Sequence, residues 1–128
     1  MGVNSSGTTQ LKLLIVDDDQ LTRNTLQSLI AVKYPALRIN SADNGCTGLA
    51  SFRDQRQNIV ITDLCMPHMD GDQMAKEIFS MDAQTVVIAI TAYSDEHRLA
   101  KARAAGITHI LNKPLEFKKL FAVIDTYL

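Results

Sequence analysis

Several short apolar runs in this 128-residue chain end in residues able to do chemistry. Asp17, Asp18 and Asp19 follow Leu13 to Val16, and Thr62 and Asp63 follow Ile59 to Ile61. Thr91 and Ala92 follow Val86 to Ile90, while Asn112, Lys113 and Pro114 follow Ile107 to Leu111. Clustered carboxylates suit a hard divalent cation, and Mg²⁺ prefers one or two of them with waters and phosphate oxygens. With metal in place an anionic phosphoryl group can approach, Lys113 supplying a second positive charge and Thr91 a hydrogen-bond donor. That leaves Asp63 as a nucleophile able to form an aspartyl phosphate. Phosphoryl transfer needs mainly positioning and charge neutralisation, and Asp17, Asp18, Asp63, Thr91 and Lys113 offer both. A nucleotide or flavin phosphate fits poorly, because carboxylates repel it and no glycine-rich loop follows the first run.

This chemistry requires the ends of the runs to meet. With Leu37 to Ile39, the chain has five such runs, rich in Val and Ile and several of them continuous. That is the pattern of strands covered on both faces, as in a parallel sheet. Helical spacing lies between them: Leu26, Leu29, Ile30 and Lys33; then Met74, Ile78 and Met81; and finally Phe117, Leu120, Phe121, Ile124 and Leu128. Asp95 to Ala105 has only Leu99 as a large apolar residue and is expected to be a lightly anchored helix ended by Gly106. Asp70 followed by Gln73 reads as a capping box, while Gly45 and Gly48 blur the second helix. Strands alternating with helices in so short a chain imply an α/β doubly wound sandwich, a flavodoxin-like five-stranded parallel sheet of order 2-1-3-4-5. In such a fold ligands bind outside the carboxyl ends of the strands, which is where the acidic, hydroxyl and lysine positions fall.

Bulk properties exclude other classes. Hydrophobic residues make up 46% and charged residues 21%, the balance of a globular protein. Thirteen basic against 14 acidic residues leave a net charge of −1, so no global field attracts nucleic acid or anionic membrane. Cys46 and Cys65 are too few for a disulfide scaffold and lack zinc-site spacing, as expected of reduced thiols in a cytoplasmic chain. No apolar run approaches the roughly 20 residues of a membrane helix. Residues 1–10 are polar and read as a flexible tail, with the folded domain over 11–128.

Asp19 alone reads as the cap of the first helix. The set is more specific: Leu14 to Asp19, Ile61 to Gly71, Ile90-Thr91-Ala92 and Asn112-Lys113-Pro114 come in that order, with 46, 28 and 22 residues separating Asp17, Asp63, Thr91 and Lys113. In these motifs the chain resembles the receiver domain of two-component response regulators over roughly Leu11 to Leu128. The resemblance implies Asp63 as phosphoacceptor. It implies Asp17 and Asp18 as the acidic pair holding Mg²⁺, with Asp63 and the backbone carbonyl of Cys65 as further metal contacts. Thr91 matches the hydroxyl that moves to the phosphoryl group, and Lys113 the lysine that pairs with it. Pro67 and Gly71 match the loop after the acceptor strand, and Lys113-Pro114 is a candidate cis bond.

The same resemblance implies a switch rather than a turnover enzyme. The donor is a sensor histidine kinase or a histidine phosphotransfer protein. The response falls on the fourth helix, fifth strand and last helix, a surface that also offers a homodimer contact, and the downstream partner is a protein. One departure stands out: the switch position three before Lys113, commonly aromatic in the family, is Ile110. Coupling then has to use Ile110 packing, the neighbouring His109, or another route. Tyr93 and Cys65 flank the site and are expected to tune phosphoryl lifetime, Tyr93 as a shield against water. His68 and His97 are expected to be exposed, and Met66, Met69, Met74 and Met81 to fill loop and core. Two rival readings are a small Mg²⁺-dependent phosphatase using Asp17 and Asp19, and a docking module without phosphate. Leu21, four residues after Asp17, departs from the phosphatase pattern.

Overall fold

The computed structural model describes residues 10–92 and 96–128. Its strands are β1 (Lys12–Val16), β2 (Arg38–Ala42), β3 (Ile59–Asp63), β4 (Val86–Thr91) and β5 (His109–Asn112). They alternate with helices α1 (Gln20–Lys33), α2 (Gly45–Gln55), α3 (Gly71–Met81), α4 (Glu96–Ala104) and α5 (Phe117–Thr126). All strand pairs are parallel and the sheet order is β2-β1-β3-β4-β5, the expected 2-1-3-4-5.

Successive strand side chains point to opposite faces, and here both faces are covered. Leu13 and Ile15 of β1 pack in one layer with Leu26 and Ile30 of α1 and Leu120 and Ile124 of α5. Leu14 and Val16 pack in the other with Leu49 and Phe52 of α2, Met74 and Ile78 of α3, and Ala102 of α4. This double cover explains why the central strands read as unbroken apolar runs. Each fully buried Leu or Ile contributes about 1.5–3 kcal/mol of hydrophobic stabilisation.

The departures from the sequence reading lie at the edges. The second strand runs from Arg38 to Ala42 rather than Leu37 to Ile39, because its Arg38, Asn40 and Ser41 lie on an edge strand that tolerates polar side chains. β5 begins at His109, and Ile107 precedes it as a buried residue of the turn. On α1, Leu26 and Ile30 are buried, but Leu29 is 41% exposed and Lys33 is exposed. On α4 the fully buried residue is Ala102, not Leu99, which is half-buried. Leu128 lies beyond the end of α5 and is exposed.

Local signals otherwise agree with the structure. Asp70 and Gln73 form the expected capping box, Asp70 N–H donating to Gln73 Oε1 at 3.2 Å. α2 has a second box between Asn44 and Thr47, which offsets the weakness of its glycines. α4 ends in a Schellman motif, with Ile107 N–H donating to Ala102 O and Gly106 N–H to Arg103 O. Gly106 has φ +105, a left-handed conformation that glycine adopts without a Cβ clash.

Candidate functional site

Strand register brings the chemistry together. Val16 faces Thr62 across the β1–β3 ladder, so Asp17 and Asp63 leave adjacent strands side by side. Asp63 faces Ile90 and Thr91 faces Asn112, which sets Thr91 and Lys113 at the ends of the next two strands. Lys113 N–H donates to Thr91 O at 2.9 Å, extending that ladder by one residue. One carboxylate oxygen from each of Asp17, Asp18 and Asp63 lies within 4.8 Å of the others. Asp17 is buried, Asp18 is exposed, and the side chain of Asp63 is 11% exposed.

Asp17, Asp63 and Lys113 each have partners that orient them. Lys113 Nζ donates to Asp63 Oδ2 at 2.8 Å, and Cys65 N–H donates to Asp63 Oδ1 at 3.0 Å. Asp19 N–H donates to Asp17 Oδ1 at 2.9 Å, and Arg23 Nη1 donates to Asp17 O at 2.7 Å. Thr91 is fully buried. Burial pushes the Asp17 carboxyl above its ordinary value; the Asp19 N–H opposes this, while the charge of Asp63 adds to it. Burial pulls Lys113 down, but its hydrogen bond to Asp63 and the charges of Asp63, Asp17 and Asp18 outweigh that, so its net shift is upward. The set is rich in hard oxygen donors and carries more negative than positive charge, so it fits a divalent cation.

The loop leaving Asp63 is drawn tightly against it. Gly71 N–H donates to Leu64 O at 2.9 Å, and a Cβ on Gly71 would collide with the Asp63 carbonyl oxygen. Gly71 is therefore required by close approach. His68, in the same loop, is exposed and has φ +68. From α4, Arg98 Nη1 reaches Leu64 O at 3.4 Å and Asp70 Oδ2 at 3.3 Å.

Asp17, Asp18, Asp63, Thr91 and Lys113 thus share one edge of the sheet, and Cys65 joins them through its backbone. Lys113-Pro114 is cis. Asp19 occupies the N-cap position of α1 and accepts from the Thr22 hydroxyl, which holds its carboxyl below the ordinary value. His97 is exposed, as expected. Met66 and Met74 are buried, and Met69 and Met81 pack against the same core. Ile110 also packs there, while His109 Nε2 lies 2.6 Å from Tyr127 Oη. Tyr93 lies outside the described residues. Sequence reading missed Arg23 and Arg98, both exposed-looking cations on helices whose carbonyl partners leave no trace in residue type. It also missed Tyr34, whose hydroxyl donates to Asp125 Oδ1 at 2.7 Å and so ties α1 to α5.

Comparison with known proteins agrees with this geometry. Residues 13–125 match the family model of the response regulator receiver domain. The chain is 32% identical over 114 residues to the regulatory protein AtoC of Escherichia coli, covering 89% of this chain and 24% of that protein. It is 28% identical to the chemotaxis protein CheY of Bacillus subtilis, covering 89% of this chain and 94% of that one. It is also 30% identical to hybrid signal transduction histidine kinase G of Dictyostelium discoideum, spanning only 4% of that protein. Among solved structures, the N-terminal domain of an uncharacterized protein from Wolinella succinogenes superposes with a TM-score of 0.84 at 32% identity, covering 91% of this chain and 93% of that one. By this match over nearly its whole folded length, the chain belongs to the response regulator receiver domain family of two-component signalling proteins.

Proposed function

We propose that the chain is a phosphorelay receiver whose acceptor is Asp63. The observation that carries this reading is the largely enclosed Asp63 carboxylate, held by Lys113 Nζ on one oxygen and Cys65 N–H on the other, beside Asp17 and Asp18. An Asp63 oxygen attacks the phosphorus of a partner's phosphohistidine. A P–O bond forms, the P–N bond breaks, and its electron pair returns to the imidazole. Asp17, Asp18, Asp63 and the Cys65 carbonyl would hold Mg²⁺, which when bound neutralises phosphoryl charge. Lys113 keeps its proton and holds the acceptor in place, while Thr91 offers its hydroxyl to the transferred group.

The donor is a sensor histidine kinase or a histidine phosphotransfer protein, and the surface of α4, β5 and α5 passes the change to a downstream protein or a second copy. Neither nucleic acid nor membrane is a direct partner, and the setting is cytoplasmic. Among the described residues, no helix is long and apolar enough to cross a membrane. The chain performs its own phosphorylation and dephosphorylation at Asp63 and does not turn over external substrates.

Intact mass after incubation with acetyl phosphate and Mg²⁺ tests this directly. The expected result is a gain of one phosphoryl group, absent without Mg²⁺ and absent in Asp63→Asn. No gain while Mg²⁺ still binds would favour a docking module. A gain that survives Asp63→Asn but not Asp17→Asn would move the acceptor from Asp63 to Asp17.

A further inference from the structure

The peptide unit joining Leu64 to Cys65 is held from both sides. Its N–H donates to Asp63 Oδ1 at 3.0 Å, and its carbonyl accepts from Gly71 N–H at 2.9 Å and from Arg98 Nη1 at 3.4 Å. A trans peptide is planar, with N–H and C=O pointing in opposite directions, so the unit turns as one body. The same Arg98 nitrogen lies 3.3 Å from Asp70 Oδ2, at the cap of α3. A nitrogen of α4 therefore grips the far side of the peptide whose near side touches the proposed acceptor.

The rest of α4 is lightly held. Ala102 is its buried residue. The groove between α3 and α4, about 280 Å³ in volume, is lined by Asp72, Lys76, Lys101 and Ala104 among others. An open groove of this size means that α3 and α4 are not closely packed along it, so moving α4 against α3 disrupts few contacts.

Resting on the phosphoacceptor reading, we infer that Arg98 is a positioning residue that couples Asp63 to α4 through the Leu64–Cys65 peptide. Phosphorylation of Asp63 changes the group that accepts from Cys65 N–H. The peptide turns to follow it, the Leu64 carbonyl withdraws from Arg98, and α4 is released from the acceptor loop. The Asp70 carboxylate holds the guanidinium in register meanwhile, so loss of the carbonyl contact loosens α4 without removing the cap of α3.

The test is amide hydrogen exchange by NMR on the full chain, with intact mass reporting phosphorylation by acetyl phosphate in the same samples. In wild type, exchange across residues 96–104 rises roughly fivefold or more on phosphorylation. In Arg98→Ala it is already fast at rest and phosphorylation adds nothing, although the mass gain is complete. The Cys65 amide also exchanges faster in resting Arg98→Ala, which a role confined to holding α4 would not produce. Arg98→Lys, which keeps a cationic donor, restores at least part of the α4 response. Complete phosphorylation with the same α4 response in Arg98→Ala and wild type would overturn the link alone. No mass gain in wild type would overturn the phosphoacceptor reading, and the signalling role of Arg98 with it.

Discussion

At Asp17 the fold holds a carboxylate where water is scarce and the charge of Asp63 is near. Its raised pKa means that the folded state favours the protonated form, so the ionised form costs stability above the raised value. Asp17→Asn removes that charge and keeps an oxygen for the Asp19 N–H. In metal-free protein at pH 7 this variant is expected to be more stable by about 1 kcal/mol. The difference should shrink as pH falls through the raised pKa and vanish below the ordinary value of 3.8, as urea denaturation across that range would read. Lys113 has the opposite sign. Its raised pKa stabilises the fold, fully so below the ordinary value of 10.5, and that contribution is lost as pH rises through the higher folded value. Lys113→Met should therefore be less stable than wild type at pH 7, and the gap should narrow in strongly alkaline buffer. Equal gaps at both pH values would show that the stem of Lys113 matters rather than its charge. Residues of this kind were legible in the sequence because a charge ending an apolar strand is conspicuous. Arg98 was not, because its partner is a backbone carbonyl brought near only by the fold.

Helices and strands follow the same division. β1, β3 and β4 were read almost to their ends, since burial on both faces leaves unbroken apolar runs. β2 was displaced because an edge strand is free to carry Arg38, Asn40 and Ser41. α3 was fixed by its capping box and its Met74 and Ile78 stripe, whereas α4 gave only Leu99 as a guide and buries Ala102 instead. The strongest local signal for α4 is where it stops. Gly106 combines φ +105 with a ring of Phe79 whose nearest atoms lie 3.0 and 3.1 Å from where a Cβ would be. Gly106→Ala should cost about 1–3 kcal/mol, read as a lowered midpoint in thermal denaturation. A loss of that size with phosphorylation by acetyl phosphate intact would show that the turn after α4 serves the fold and stands apart from the chemistry of the site.

On the scale of the whole molecule, the proposed metal ligands come from segments 46 residues apart in sequence that meet only because β1 and β3 are neighbours. An unfolded chain cannot present Asp17, Asp18 and Asp63 together, so a cation that binds them stabilises the native state by mass action. At ten times the dissociation constant this amounts to about 1.4 kcal/mol, or roughly 5 °C in the thermal midpoint of a chain this size. Mg²⁺ is expected to raise the midpoint of wild type by that order, and EDTA to reverse it. The response should be lost in Asp17→Asn and in Asp63→Asn, each of which removes a charge from the cluster. It should be kept in Arg98→Ala, because the contacts of that arginine are with the Leu64 carbonyl and with Asp70 at the cap of α3. This last comparison separates binding at the sheet edge from transmission to α4. If Arg98→Ala also lost its response to Mg²⁺, the acceptor loop would need α4 to hold the binding geometry, and site and output surface would form one cooperative unit even before phosphorylation.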